Sequence, residues 1–183
     1  MKVSSFAVVF ALTTSCLTFA DADEAKEEEA RPTVTEARAQ ARLLHETYEA
    51  TLQALHRRYF RDDGKAPIPS RVLDEVFSDL SFRSKIKARW IAVNAQAMSI
   101  EHEPRDDFEK EAARRLTKGN EEFERVKDGV YRRAGSIPLF SSCIKCHAPP
   151  PMRPEVSRVA GLVISIPVKG GDMTLEQQAA RRD

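Results

Sequence analysis

The chain has 183 residues, enough for a single domain with its own hydrophobic core. Lys plus Arg number 29 and Asp plus Glu 28, a formal net charge of +1, and the two kinds are interleaved along the sequence. That balance excludes a nucleic-acid partner recruited by net charge, and 31% charged with 7% aromatic residues fits a soluble globular protein with flexible ends.

Residues 1–22 read as an export signal. Lys2 gives the positive start, residues 6–12 a short apolar run, and Ala20-Asp21-Ala22 a small-residue cleavage site. Thr13, Thr14 and Ser15 stop the run well short of the ~20 apolar residues a spanning helix needs, so no membrane span is expected after cleavage. Lipid attachment at Cys16 is the alternative, but Thr13 stands where such signals usually carry Leu. Cleavage after residue 22 removes Cys16, leaving Cys143 and Cys146 in a periplasmic or otherwise extracytoplasmic protein.

Residues 23–32 are acidic and nearly free of large apolar groups, the composition of a solvated linker. Thr33-Val34-Thr35-Glu36 has the pattern of a capping box. The helix it opens should reach about Phe60, with Leu44, Tyr48, Leu52, Leu55 and Tyr59 on one stripe. Asp62-Asp63-Gly64 ends it, and Pro67 and Pro69 hold the chain out of helix. Ser70 then caps a second helix to about Leu80, with Val72, Leu73, Val76, Phe77 and Leu80 on its apolar face.

Further on, residues 88–94 are short, apolar and β-prone, and residues 106–118 form an amphipathic helix stopped by Gly119. Residues 122–126 and 130–137 read as a hairpin turning at Asp128-Gly129. In residues 162–168, Leu162, Ile164, Ile166 and Val168 alternate with Val163, Ser165 and Pro167, the period of a strand with one buried face. A flexible tail follows over 170–183. Helices first and hairpin-joined strands later predict an α+β domain over 33–169 with an antiparallel sheet.

Cys143-Ile144-Lys145-Cys146-His147 is an unbroken C-x-x-C-H. This is the attachment motif of haem c: each thiol adds to one porphyrin vinyl group, and the adjacent histidine swings its imidazole under the iron. With three cysteines and four histidines in the chain, chance produces the pattern roughly once in a thousand such sequences. A structural zinc site competes poorly, because it needs four ligands and the motif supplies three. A thioredoxin-like dithiol wants its cysteines opening a helix, and Pro149, Pro150 and Pro151 forbid one just after the motif. A Cys143–Cys146 disulfide would close a very small loop and leave His147 without a role.

His147 is the expected proximal ligand. For the other face of the haem the mature chain offers His45, His56, His102, Met98 and Met152. Met98 reads as core filling and His102, in Glu101-His102-Glu103-Pro104, as a solvated loop residue. His45 and His56 lie eleven residues apart on the first helix, three turns, and project at nearly the same angle. His56 is the first choice and His45 the second. Arg132 and Arg133, on the strand before the motif, are candidates to pair with haem propionates, and because neighbouring strand residues face opposite ways at most one should reach.

Beyond the motif, the order of export signal, long first helix, "ARWIAVNAQAM", "DGVYRRAGSIPL", "CIKCH" and "AGLVISIPV" resembles the single-haem c-type family with a PAS-like fold. The likeness covers about residues 35–169. It implies a five-stranded antiparallel sheet with helices on one side and one covalent haem c between the sheet and the first helix. Some members use a cysteine of that helix as the sixth ligand, but residues 33–60 here contain none. The resemblance implies redox or gas sensing, or electron transfer, through an unidentified redox or signalling partner, with a small gas as one candidate ligand. A peroxidase-like enzyme, with His56 beside Arg57 or Arg58 on an open haem face, and a thiol-disulfide oxidoreductase are the alternatives.

Overall fold

The computed structural model describes residues 26–59, 67–97, 99–147 and 158–170, without the side chains of Ser142, Lys145 and Cys146. The expected signal with Cys16, the Asp62-Asp63-Gly64 turn, Met98, Met152, the three prolines after the motif and the tail beyond Gly170 lie outside these residues. The chain divides into two units, Met1–Arg31 and Pro32–Asp183. In the first, residues 26–30 are helical where composition predicts a solvated linker. Lys, Glu and Ala are strong helix formers, and Glu28 pairs with Arg31 three residues on.

In the second unit the capping box forms as expected. Thr33 Oγ1 accepts from the Glu36 amide at 3.3 Å while the Glu36 carboxylate accepts from the Thr33 amide at 2.8 Å. Helix α1 then runs Val34–Arg58. Val34, Ala37, Ala41, His45 and Tyr48 are its buried residues, with Leu44 and Leu52 partly buried against the same core. The stripe is thus built partly of alanines, which let the helix lie close to the sheet. Tyr59 falls past the helix end and is 69% exposed, so it does not continue the stripe.

Helix α2 is Pro69–Ser84. Pro69 takes its first turn, where a missing N–H and a fixed φ cost nothing; Ile68 is the N-cap, and Ser70 lies inside the helix instead of capping it. The helix outruns its expected end at Leu80 and stops at Lys85, whose φ of 58° is left-handed. Leu73 and Phe77 are its buried anchors.

Strands β1 Lys87–Ala92, β2 Glu122–Lys127, β3 Val130–Pro138 and β4 Val159–Pro167 form one sheet in the order β1-β4-β3-β2, every pair antiparallel. The β2–β3 turn has positive φ at both Asp128 (50°) and Gly129 (70°), the mirror-image turn that matches strand twist. Four strands, not five, are present among the described residues.

Helices cover both faces of the sheet, which corrects the one-sided arrangement that the family resemblance implies. On one face α1 and α2 pack over Trp90, Tyr131, Ile137, Leu162, Ile164 and Ile166. On the other, helix α3 Asp107–Thr117, capped by Asp106, lays Phe108, Ala112 and Leu116 over Ile91, Ala134 and Val163. Residues four apart on α3 share a stripe, and fully burying Phe108 and Leu116 stabilises by roughly 1.5–3 kcal/mol each. Strand β4 is therefore buried on both sides, with Val163 as deep as its neighbours Leu162 and Ile164. A last helix, α4 Ser141–His147, lies in the connection from β3 to β4. Among the described residues no helix is long and apolar enough to cross a membrane.

His45 lies close against the sheet. A Cβ on Gly135 of β3 would lie 2.4 Å from His45 Cε1 and 2.7 Å from an Arg133 nitrogen. Both neighbours are buried and have little room to move. Gly135→Ala should therefore cost about 1–3 kcal/mol of stability, read by urea denaturation; an unchanged midpoint would mean that α1 is free to shift.

Burial, reinforced by the Arg133 guanidinium, holds the His45 imidazole down to about 4 from its ordinary 6.5. Glu49 lies 3.4 Å from Nε2, but its own carboxyl is pushed up by burial, which weakens its pull on the proton. The unfolded chain then binds that proton more readily. Stability from this site is complete above 6.5 and falls toward about 4 by about 1.4 kcal/mol per pH unit. Replacing His45 by Gln should flatten the denaturation profile across that window; parallel profiles would contradict the burial argument.

Candidate functional site

The C-x-x-C-H motif occupies α4. Cys143 and Ile144 donate their amides to the Phe140 carbonyl at 2.8 and 3.1 Å, starting the helix as soon as β3 has ended. The motif thus opens a helix, with Cys143 in its first turn, which corrects the expectation that the motif lacks the helical setting a thioredoxin-like dithiol wants. Cys143 is 6% exposed, its side chain turned inward.

What it faces is a cavity of about 80 Å³ between the end of α1, strand β1 and α4. Its walls are mostly apolar, with Leu52, Ile68, Trp90, Ile137, Leu139 and Val159 among them. Small-molecule and cofactor sites share this apolar character, with a few polar groups set into it. The polar groups here include Cys143, His147, His56 and His102.

His147 is held by the segment after β1. Its Nδ1 lies 3.4 Å from the Gln96 carbonyl, and the Gln96 amide donates to the His147 carbonyl at 3.0 Å. An imidazole whose Nδ1–H points to a backbone carbonyl keeps Nε2 as its ligating nitrogen. The same segment is tied to β4: Asn94 Oδ1 accepts from the Val159 amide at 2.8 Å, and Arg158 donates to the Asn94 carbonyl.

Of the two histidines on α1, the structure brings His56 to the cavity and not His45. His45 lies under the sheet against Gly135 and Arg133, outside the cavity lining. Burial lowers the His56 pKa, and the charge of His147 lowers it further. His102, read from sequence as a solvated loop residue, instead lines the cavity from a 3₁₀ turn, Ile100–His102. Its pKa too is lowered, mainly by burial, against an opposing pull from Asp74. Both imidazoles are thereby favoured in the neutral form that can bind a metal.

Arg132 and Arg133 do point to opposite faces, but neither lines the cavity. Arg132 stacks 4.3 Å from the Phe108 ring and reaches Asp106 at 2.6 Å and Glu109 at 3.3 Å. Arg133 pairs with Glu122 at 2.7 Å beneath α1. Each guanidinium already has protein carboxylates, so a propionate role for either is not what the packing provides.

Among the described residues no three His, Cys, Asp or Glu side chains gather closely enough to hold a bare metal ion. Single imidazoles on an apolar wall suit an iron whose equatorial ligands come with it.

The model of the Tll0287-like family matches residues 27–164, and the chain belongs to that family. A solved structure, the crystal structure of the cyanobacterial heme-protein Tll0287, shares the fold with a TM-score of 0.55 at 13% identity. That match covers 72% of this chain and 95% of the other. No curated protein matches.

Proposed function

We propose that this Tll0287-like protein is an exported mono-haem c protein, its haem bonded through Cys143 and Cys146 with His147 as the proximal ligand, serving redox or gas sensing or electron transfer. The observation that carries this is the meeting of Cys143 and His147, four residues apart in α4, on one wall of an apolar cavity. The related cyanobacterial protein is a heme-protein, which supports the same cofactor.

The residues present fit that group. Leu52, Trp90, Ile137 and Val159 offer apolar surface to a porphyrin face. Cys143 and Cys146 would hold it through thioethers, each thiol adding S–H across one vinyl C=C with no leaving group. Gln96 fixes the His147 ring so that Nε2 is available to iron. Bound haem supplies an iron that changes oxidation state or takes a small gas. The apolar walls exclude water and so help set the potential, together with the axial ligands.

The two alternatives read the same residues differently. A thiol oxidoreductase needs an accessible attacking thiol, and Cys143 is buried. A peroxidase-like enzyme needs an open iron position beside an acid–base group, and the cavity holds His56 and His102. The export expected from residues 1–22 also suits haem attachment, which takes place outside the cytoplasm in bacteria.

The test is the pyridine haemochrome of protein matured in a host with haem-ligation machinery, after acid–acetone extraction. Wild type should retain its haem, and Cys143→Ser/Cys146→Ser should lose all of it to the solvent. Single Cys→Ser variants should keep one thioether and show a shifted haemochrome band. Haem that extracts fully from the wild type would refute covalent attachment.

A further inference from the structure

We infer that His102 is the second axial ligand of the iron, with Asp74 as the carboxylate that positions its ring; this rests on the haem reading above. His56 and His102 share the cavity with His147, but they are held differently. His56 belongs to the last turn of α1, followed by the exposed Arg57 and Arg58. His102 is fastened from three elements.

Arg89 of β1 donates to the carbonyl oxygens of Glu101 and Glu103, on either side of His102. Arg89 is itself fixed by Glu109 of α3, which is 3% exposed. Ser99 Oγ accepts from the Glu101 amide at 3.2 Å and closes the turn. From α2, Asp74 brings Oδ2 to 3.7 Å from His102 Nε2.

Metal-bound imidazoles nearly always have their remote nitrogen engaged by a carboxylate or a carbonyl, which fixes the ring and raises its basicity. His147 has this partner in the Gln96 carbonyl, and His102 has the Asp74 carboxylate standing 3.7 Å from its Nε2. With Nε2 directed at Asp74, Nδ1 is the nitrogen left for iron. A turn clamped at two carbonyls holds its side chain firmly, and a sixth ligand must hold its place through changes of oxidation state.

The test uses holoprotein and the variants His102→Ala, His56→Ala and Asp74→Asn, reading the ferric visible spectrum beside the haemochrome. Wild type and His56→Ala should be six-coordinate and low-spin. His102→Ala should turn high-spin with its covalent haem intact, and added imidazole should restore the low-spin spectrum. Asp74→Asn should stay low-spin with its midpoint potential shifted upward, because a less basic imidazole stabilises ferric iron less. Should His102→Ala fail to mature, His102→Met tests the same point by changing the spectrum to the His/Met type at a higher potential.

A low-spin His102→Ala, a high-spin His56→Ala or a high-spin wild type overturns the assignment to His102 while leaving the haem reading intact. So does a His102→Met spectrum identical to wild type. Absence of a haemochrome in every protein, wild type included, overturns the haem reading itself.

Discussion

Gln96 and His147 hold each other by two contacts, amide to carbonyl at 3.0 Å and imidazole to carbonyl at 3.4 Å. Everything at the site depends on that tie. It fixes the end of α4 against the segment leaving β1, turns the His147 ring, and leaves Cys143 of the same helix facing the cavity. The sheet order makes the tie available. Because β4 pairs with both β1 and β3, the β3–β4 connection carrying the motif returns beside the end of β1, where Asn94 also meets the Val159 amide.

Local chemistry was legible in the sequence wherever one or two residues decide it. The Thr33–Glu36 box, the Asp128-Gly129 turn and the spacing of Cys143, Cys146 and His147 are written in adjacent residues, and the structure shows the first two as read. Pro69 was misread because Ser70 is also a good cap; fixed φ at the first helical position took precedence. The burial of β4 on both faces was hidden because Ser165 and Pro167 preserve an alternating pattern at one end, while Val163 meets α3 at the other.

The site itself was half legible. Three-turn spacing placed His45 and His56 on one line, but a 25-residue helix passes over both sheet and cavity. His45 meets Gly135 while His56, further along, meets the cavity. His102 gave no local signal, since its acidic neighbours suggest solvent. Its place is set by Arg89 and Asp74, from a strand and a helix earlier in the chain, a juxtaposition no short window contains. Arg132 and Arg133 illustrate the converse: good propionate partners by type, already paired across α3 and β2.

Intact mass under denaturing conditions bears most directly on the central claim that Cys143 and Cys146 carry a porphyrin beside His147. Protein purified from a host able to ligate haem should weigh its processed polypeptide plus one haem, and iodoacetamide should find no free thiol among the two. A bare polypeptide mass with both cysteines alkylated would contradict the account.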